Sequence, residues 1–569
     1  MRLLLFLFLT AIASAQETLI RKQFEPITDT HVEVTSLFSR PAADGYFPVR
    51  VKIANNLKTP ASIRLDFRCS ANYDNSLKCT SSFSFDAPPG KTVIRDIVVP
   101  QNPVGTTYGS AISILTELSG TMGMEAHSLS ADYNPTQPSV LLSAPLYTPN
   151  ASKLDAELTT RLSASYGGSM TFASKFTAAD LPDNWLAYSG FDRILMLDSD
   201  WTTAPAGART AIESWVRLGG DLIVYSPTNA SAASLSLPEN TGFGTVSTTD
   251  IKNDLTLNET ETISRVMGGG MTSPRKMSLE NDYHISWPLR AAFGDESFRY
   301  AVFIIILVFF GILVGPINLF VFAKSGRRHR LFITTPIISL GTSILLIILI
   351  IFQDGFGGKG MRAALIEVAD NSAYIHQEQF CRTGVLTKSN FAVDPAVLFT
   401  PVQVKETSWS RFTSSNTRGT FNLQPSGGKL SATGDWFQSR SEQGHSIDGV
   451  IPTRGRIEKT STPDKLISTF DFPIEKLYYL DPSAKWHRAE SIRTGESFAL
   501  TQVEDTLVNP EIQKLGAQLS ARNQRFFERV RYNRGHFIAV ASSGPVIATH
   551  PGIRWEETTS IITGAVVAP

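Results

Sequence analysis

The chain contains YAVFIIILVFFGILVGPINLFVFA at residues 300–323 and LFITTPIISLGTSILLIILIIF at residues 331–352, two segments without a charged residue that decide its organisation. A helix of about 20 apolar residues crosses a hydrocarbon core of about 30 Å, because each residue adds about 1.5 Å. We therefore predict transmembrane helices over 300–323 and 331–353, which divide the rest of the chain into a part before and a part after a membrane hairpin.

The loop between these helices, residues 324–330, is strongly basic. It has no acidic residue, and its fixed positive charges are Lys324, Arg327, Arg328 and Arg330. Short loops rich in lysine and arginine stay in the cytoplasm. We therefore predict that residues 16–299 and 354–569 both lie outside the cytoplasm.

The N-terminus has the pattern of a secretory signal peptide over residues 1–15. Arg2 supplies the positive charge, residues 3–9 are apolar, and Ala13-Ser14-Ala15 fits a cleavage site. The signal agrees with the topology that the basic loop predicts. We expect a two-pass protein of the bacterial inner membrane, with both large regions on the periplasmic side.

Composition excludes several classes of protein. Lys+Arg and Asp+Glu are both 52 in 569 residues, so the formal net charge of zero gives no pull toward nucleic acid. Hydrophobic residues make up 42% and charged residues 18%, which excludes disordered and fibrous proteins. Three cysteines are too few for a zinc ribbon or a disulfide-rich small fold.

Residues 24–136 have the alternation of a β-sandwich. FPVRVKI at 47–53 alternates strictly, and we expect an immunoglobulin-like accessory domain. Cys69 and Cys79 fall on the core-facing side of neighbouring predicted strands. In an oxidising compartment we predict a disulfide between them, worth about 3 kcal/mol, with two reduced and buried cysteines as the alternative.

Residues 137–290 change from alternation to continuous apolar runs. The strand-like runs lie at 139–144, 193–197 and 222–225, and a helical pattern lies at 206–218. Buried strands that alternate with helices are typical of a parallel sheet covered on both faces. We predict a flavodoxin-like α/β domain over this range.

The same region resembles the class I glutamine-amidotransferase-like fold in LPDNW at 181–185, FDRILML at 191–197 and AIESWVRLGG at 211–220. It is more similar to the degenerate versions in uncharacterised bacterial two-helix membrane proteins and in ABC-transporter accessory proteins of the gliding-motility type. Active members of the wider family use a cysteine nucleophile with a histidine and a glutamate. Residues 137–299 contain no cysteine and a single histidine, His284, so the resemblance implies a domain without amidotransferase chemistry.

Residues 354–569 have a β-rich pattern with one predicted helix, at 509–531. Asn509 fits its N-cap and Pro510 its first helical position. Six basic and two acidic residues fall between 509 and 534. We expect them to form the solvated face of a docked helix, with contact to anionic lipid headgroups as the alternative.

Residues that could carry chemistry are sparse. The sequence has no nucleophile-elbow, zinc-protease, EF-hand or Walker A motif, so we predict no catalytic residue, cofactor or metal. Asp198 and Asp200 follow a predicted strand, where open α/β sheets bind ligands, and they are weak ligand candidates with helix capping as the alternative. Cys381 has no cysteine left to pair with.

Small and polar residues interrupt the membrane hairpin. Counted from the cytoplasmic loop, Gly341 falls between Gly311 and Gly315 in depth, and Asn318 falls level with Pro336. We therefore predict close packing inside the hairpin, with the Asn318 amide bonded to a hydroxyl or to the carbonyl that Pro336 frees. A dimer seam or a solute path is the alternative.

These patterns favour a non-enzymatic, membrane-anchored envelope protein, a scaffold or an accessory subunit of a transporter or envelope complex. Two alternatives stay open: an exported hydrolase or amidase with an unrecognised site near Asp198, Asp200 or Cys381, and a carbohydrate- or cell-wall-binding module. A pocket that holds a paired acid and base would favour the hydrolase. A strip of exposed aromatic residues would favour the binding module.

Overall fold

The computed structural model describes most of the chain. The described ranges are residues 17–71, 77–101, 110–133, 137–162, 170–228, 231–238, 241–268, 275–283, 286–294, 300–322, 326, 328–402, 404, 413–414, 419–462 and 465–568. The elements in these ranges form an N-terminal sandwich, an α/β unit, a membrane hairpin and a C-terminal region. The predicted signal peptide at 1–15 and the basic residues Lys324 and Arg327 lie outside the described residues.

The N-terminal sandwich has two layers of antiparallel strands. The strands are β1 Thr18–Glu25, β2 Thr30–Ser36, β3 Tyr46–Asn55, β4 Ala61–Ala71, β5 Leu77–Ala87, β6 Lys91–Pro100, β7 Ser110–Gly120 and β8 Glu125–Tyr133. One layer has the order β1-β2-β3-β6, and the other contains β5-β4-β7-β8. Phe47, Val49, Val51 and Ile53 of β3 are buried between the layers, as their alternation predicts.

The α/β unit contains a five-stranded sheet in which every strand pair is parallel. Its strands are β9 Val140–Ser143, β10 Ser174–Phe176, β11 Arg193–Leu197, β12 Asp221–Ser226 and β13 Thr245–Asp250, in the order β10-β9-β11-β12-β13. Its helices are α1 Ala144–Leu162, α2 Asp198–Thr203, α3 Ala206–Arg217, α4 Glu259–Gly268, α5 Arg275–Asn281 and α6 Pro288–Phe293. β11 and β12 are buried along their whole length, which explains why their sequences are apolar on both faces.

The membrane hairpin contains two helices that are long and apolar enough to cross a membrane. α7, Tyr300–Ile312, continues as a π-helix over Leu313–Phe322, and α8 covers Leu331–Asp354. Ile304–Phe322 and Arg328–Ile348 are the two candidate spans. Their large apolar side chains are mostly exposed on the outside of the protein, unlike those of a buried core helix.

The C-terminal region is β-rich and has two helices, α9 Asp505–Gly516 and α10 Ala521–Val530. Its strands are β14 Gly358–Ala369, β15 Ser372–Thr383, β16 Phe391–Val393, β17 Val397–Val402, β18 Thr413–Ser414, β19 Gly419–Ser426, β20 Lys429–Gly434, β21 Ser441–Pro452, β22 Ile457–Lys459, β23 Lys465–Ser468, β24 Ile474–Leu480, β25 Trp486–Ile492, β26 Ser497–Ala499, β27 Thr501–Val503, β28 His536–Ala541 and β29 Ile553–Ala565. The largest sheet has the order β17-β21-β15-β14-β29-β28-β24-β25-β27, with β18 beside β21.

Strands of the C-terminal region complete the N-terminal sandwich. The second layer of the sandwich has the full order β16-β20-β19-β5-β4-β7-β8, because β19 pairs in parallel with β5 over residues 419–422 and 77–80. The predicted separation of a 24–136 sandwich from a 354–569 domain is therefore wrong at this point. The edge of β5 that the N-terminal strands leave unpaired is paired with β19 of the C-terminal region.

Apolar packing also runs across these parts. One buried cluster contains Val34 and Leu65 of the sandwich together with Ile366 and Ile375 of the C-terminal region. A second cluster joins the sandwich, the α/β unit and β17. The parts outside the hairpin are thus packed into one body.

The predicted single helix at 509–531 is wrong, because the chain forms α9 and α10 instead. Pro510 lies inside α9 and Asn509 does not cap it. Ser520 lies between the two helices. Its Oγ accepts a hydrogen bond from the Asn523 N–H at 3.4 Å, and its own N–H donates to Glu378 at 2.9 Å. A side-chain cap and a contact to another strand thus start a second helix.

Candidate functional site

The weak ligand candidates Asp198 and Asp200 hold the turn from β11 into α2. Asp198 accepts hydrogen bonds from the Ser226 hydroxyl and the Ser199 N–H, both at 2.6 Å. Asp200 accepts from the Leu197 N–H at 3.3 Å. Local bonds therefore occupy both carboxylates, which corresponds to the capping alternative.

The three cysteines are buried and free. Cys69 and Cys79 lie directly opposite each other on β4 and β5, and the structure has both as buried free thiols, so the disulfide stays a prediction. Burial raises the pKa of Cys69 and of Cys381 to about 12. Since the thiolate is the nucleophile, burial makes Cys381 unreactive at neutral pH.

The membrane hairpin is held by its polar residues rather than by its glycines. The Asn318 amide donates to Thr335 Oγ1 at 2.9 Å and accepts from Thr334 Oγ1 at 2.6 Å. Among the described residues, a Cβ added at Gly311, Gly315 or Gly341 would meet nothing within 4 Å. The predicted glycine packing inside the hairpin is therefore wrong, because these glycines face away from the opposite helix; Pro336 lies inside α8.

A cluster of charged side chains lies at the junction of the sandwich, the α/β unit and the C-terminal region. We call it the ion cluster; its members are Asp44, Arg275, His376, Asp448 and Arg522. Asp44, His376, Asp448 and Arg522 are at most 5% exposed, and the Arg275 side chain is 12% exposed. Buried charges require partners, so the bonds within this cluster decide what it does.

Asp448 on β21 is the centre of the ion cluster. Its Oδ2 accepts hydrogen bonds from Arg275 Nη1 at 2.7 Å and Arg522 Nη2 at 3.0 Å. Its Oδ1 lies 2.6 Å from Nδ1 of His376. Burial opposes ionisation, but Arg522, His376 and Arg275 hold the pKa of Asp448 well below its usual value. The carboxylate is therefore ionised at neutral pH.

Arg275, the first residue of α5, connects Asp448 to the sandwich and to the parallel sheet. Its Nε donates to Asp44 Oδ2 at 3.2 Å, and its backbone N–H donates to Asp192 Oδ1 at 2.7 Å. Burial raises the pKa of Asp44, and it raises the pKa of Asp192 to about 6. One side chain and its backbone thus join three separate parts of the fold.

His376 on β15 has one bonded ring nitrogen. Burial lowers the pKa of His376 in spite of Asp448, so the ring is neutral and donates from Nδ1. Within the described chain, its Nε2 has no hydrogen-bond partner. The ring stacks on Phe526, with 4.5 Å between centroids and 13° between planes, and lies 5.0 Å from Phe243. Aromatic rings therefore cover the imidazole.

A cavity of about 70 Å³ lies beside the ion cluster, where the amino edge of the parallel sheet meets α10. Its charged lining residues are Asp192, Arg193, Asp221, Arg275, Asp448, Arg522 and Arg525. Arg525 donates to Ser278 at 2.7 Å and Asp282 at 2.6 Å. The volume suits water molecules or a small ion, since pockets for drug-sized ligands are about 300 Å³ or larger.

The ion cluster combines buried charge pairs, which hold segments together, with a histidine–carboxylate pair. His376 and Asp448 have the geometry of a general base and its orienting carboxylate. However, among the residues that the structure describes no hydroxyl or thiol bonds to His376 Nε2. Removing one partner of such a buried ion pair lowers the free energy of unfolding by about 3–5 kcal/mol. The cluster therefore stabilises the junction between the parts.

The sequence interpretation missed this cluster and misplaced its arginines. The expected solvated or lipid-facing face is wrong for three of the basic residues after 509: Arg522, Arg525 and Arg529 point inward, to Asp448, Asp282 and Asp221. Lys514 and Arg534 are exposed. One available signal was IHQEQF at 375–380, a polar run inside an apolar strand. All four of its polar residues are at most 1% exposed. His284 lies outside the described residues.

Comparisons with known proteins identify no family for this chain. No family model matches the chain, and no curated protein matches it. Among solved structures, the chain is similar to a β-glucuronidase of Bacteroides uniformis, with 10% identity, a TM-score of 0.14 and coverage of 35% of this chain and 23% of that one. A β-glucuronidase from glycoside hydrolase family 2 matches with 11% identity and a TM-score of 0.14, over 34% of this chain and 20% of that one. The chain thus spans less than a quarter of the length of these enzymes.

Proposed function

We propose that the chain is a non-enzymatic, membrane-anchored envelope protein, a scaffold or an accessory subunit of a transporter or envelope complex. The observation that carries this proposal is the ion cluster. In this cluster the buried His376–Asp448 pair and two arginines form bonds that join three parts of the chain. A body joined in this way presents a fixed surface to a partner.

Two further observations support the same reading. The membrane hairpin supplies an anchor, and the exposed Arg328 and Arg330 lie in the short turn between its helices, as a cytoplasmic loop requires. The parallel sheet has the order second-first-third-fourth-fifth along the chain, which is the flavodoxin-like order. That order is compatible with the resemblance to amidotransferase-like domains of transporter accessory proteins.

The topology has a direct test. A reporter that is active only outside the cytoplasm, fused at Pro569, should be active, and a cytoplasmic reporter at the same site should be silent. The same pair fused within the 324–330 loop is the control and should give the opposite result. A cytoplasmic signal from Pro569 would refute the proposed placement of both large regions.

Affinity purification from crosslinked, solubilised membranes tests the function. The tagged full chain should recover defined membrane or envelope proteins in fixed proportion. Asp448→Asn, which weakens the joint, should lose those partners, whereas the exposed Asp370→Asn should keep them. Recovery of the wild-type chain alone would contradict a scaffold or accessory role.

An exported hydrolase or amidase is the second candidate, because the cavity is lined by Asp448, whose carboxylate pairs with the His376 imidazole. On this alternative the purified chain hydrolyses amide or ester substrates, and His376→Gln abolishes turnover without changing the far-ultraviolet circular dichroism. Equal, background-level rates for the wild-type and His376→Gln chains would refute it.

A further inference from the structure

The connections to the membrane hairpin identify the end of the body that faces the membrane. α8 ends at Asp354 and β14 begins at Gly358, and the three residues between them span at most about 11 Å. On the side of the first helix, the Gly294 carbonyl accepts a hydrogen bond from Arg382 Nη2 at 2.9 Å, near the end of β15. The start of β14 and the end of β15 therefore lie close to the membrane surface.

Three loops are tied to the connection that follows α8. The Gly384 N–H donates to the Gly357 carbonyl at 2.8 Å, the Arg440 N–H to the Gly384 carbonyl at 2.9 Å, and the Gly358 N–H to the Gly552 carbonyl at 2.9 Å. These backbone bonds place all three loops at one level. We call this surface the membrane-facing end; it comprises residues 355–359, 384–390, 438–442 and 550–557.

Exposed charge at the membrane-facing end is predominantly basic. The exposed basic residues are Lys359, Lys388, Arg440 and Arg554, and the exposed acidic residues are Glu556 and Glu557. Glu556 lies 3.7 Å from Lys359 and 3.0 Å from Arg554, and it pairs with both. The remaining carboxylate, Glu442, is buried and lies 2.6 Å from Arg382 and 3.5 Å from Arg290. The surface next to the bilayer therefore carries an excess of positive charge.

An aromatic residue stands at the same level. Phe356 lies between the end of α8 and β14, and its side chain is 72% exposed. Large apolar side chains of soluble proteins are normally buried. Trp555 is partly buried under the Arg362 guanidinium, which lies 5.4 Å from the centre of its ring. Aromatic side chains next to lysine and arginine are typical of the interface between membrane and water.

We propose that the membrane-facing end binds the headgroups of anionic phospholipids in the leaflet next to it. Lys388 and Arg440 contact the phosphates, and Phe356 inserts at the interface. Lys359 and Arg554 share Glu556 and add to the positive charge of the surface. This inference rests on the proposed membrane-anchored function and adds a lipid ligand to it. The contact would fix the tilt of the body, because both connections to the hairpin leave from the same surface.

The experiment uses the full chain in nanodiscs of phosphatidylcholine that contain 30% phosphatidylglycerol. A donor fluorophore is attached at Thr387→Cys, since the three native cysteines are buried. Energy transfer to trace acceptor-labelled phosphatidylglycerol is compared with transfer to acceptor-labelled phosphatidylcholine. We expect enrichment of phosphatidylglycerol near Thr387. The equilibrium constant for exchanging phosphatidylcholine for phosphatidylglycerol at this surface should fall about fivefold for each basic residue removed, and the enrichment should disappear in 0.5 M salt.

Lys388→Gln/Arg440→Gln is the test variant. The matched control is Lys58→Gln/Lys91→Gln, which makes the same change in charge at exposed positions of the sandwich. Equal transfer to the two labelled lipids, or an equal effect of both variants, would overturn the lipid site while leaving the anchor intact. A chain that stays out of the nanodisc would refute the membrane anchor and the lipid site together. A partner protein at this surface would likewise give no lipid preference.

Discussion

The substitution Asp448→Asn tests whether the ion cluster holds the body together. Asparagine keeps the shape of the side chain but removes the charge that Arg275 and Arg522 share. Arg275 keeps Asp44 at 3.2 Å, whereas Arg522 keeps the Ser446 hydroxyl at 3.0 Å. Leaving a buried guanidinium without its carboxylate costs about 3–5 kcal/mol, and we expect the loss to fall on α10, which carries Arg522.

Hydrogen exchange is the appropriate assay, because a protein with several packed parts need not unfold in one step. A loss of about 3–5 kcal/mol speeds exchange of the protected α10 amides by roughly two to four orders of magnitude. The matched control is Asp370→Asn. Asp370 also pairs with an arginine, Arg217 at 3.2 Å, but its side chain is 82% exposed, so the change should cost about 0.5 kcal/mol or less. If Asp448→Asn accelerates exchange no more than Asp370→Asn does, the cluster does not stabilise the junction.

The pH dependence of stability and the packing of the hairpin have separate tests. Burial raises the pKa of Glu378 to about 7, so its contribution to stability is complete below the unfolded pKa of about 4.3 and is lost as the pH rises through 7. Glu378→Gln should therefore raise the Tm at pH 8 much more than at pH 4.5, and equal shifts at both pH values would contradict the burial argument. In membranes, oxidised Asn318→Cys/Thr335→Cys should crosslink within one chain, because the two side chains are 2.9 Å apart. Gly315→Cys/Gly341→Cys should not, and an efficient intramolecular crosslink there would show that the helices pack on their glycines.

The local sequence pattern correctly predicted the elements whose structure depends on residues nearby in the sequence. The strict alternation at 47–53 predicts β3, and the apolar run at 193–197 predicts a parallel strand, β11. The pattern at 509–531 failed, because the helix break depends on Glu378, which accepts the Ser520 N–H from 142 residues away. An arginine on a helix looks the same in sequence whether it faces water or a buried carboxylate.

The candidate site as a whole was unpredictable for the same reason, although the polar run at 375–380 was a signal for one of its members, His376. Its members lie between positions 44 and 522, and none of them forms a motif with its sequence neighbours. Asp198 and Asp200 attracted attention because they end a strand, yet the cavity lies at the opposite edge of that sheet, beside Asp192 and Asp221. Sequence spacing reports which residues share an element, whereas this site depends on which elements meet.

The pairing of β19 with β5 constrains the order in which the protein is made. Thr80 bonds to Asn422 across 342 positions, and the membrane hairpin lies between them. If both large regions are exported, the edge of β5 in the N-terminal sandwich stays unpaired until the hairpin has inserted and residues 419–434 have crossed the membrane. Unpaired strand edges invite association with other chains, and distant pairings form slowly. The nascent protein would then depend on a chaperone, or on rapid synthesis of its tail, to protect β5 during this interval.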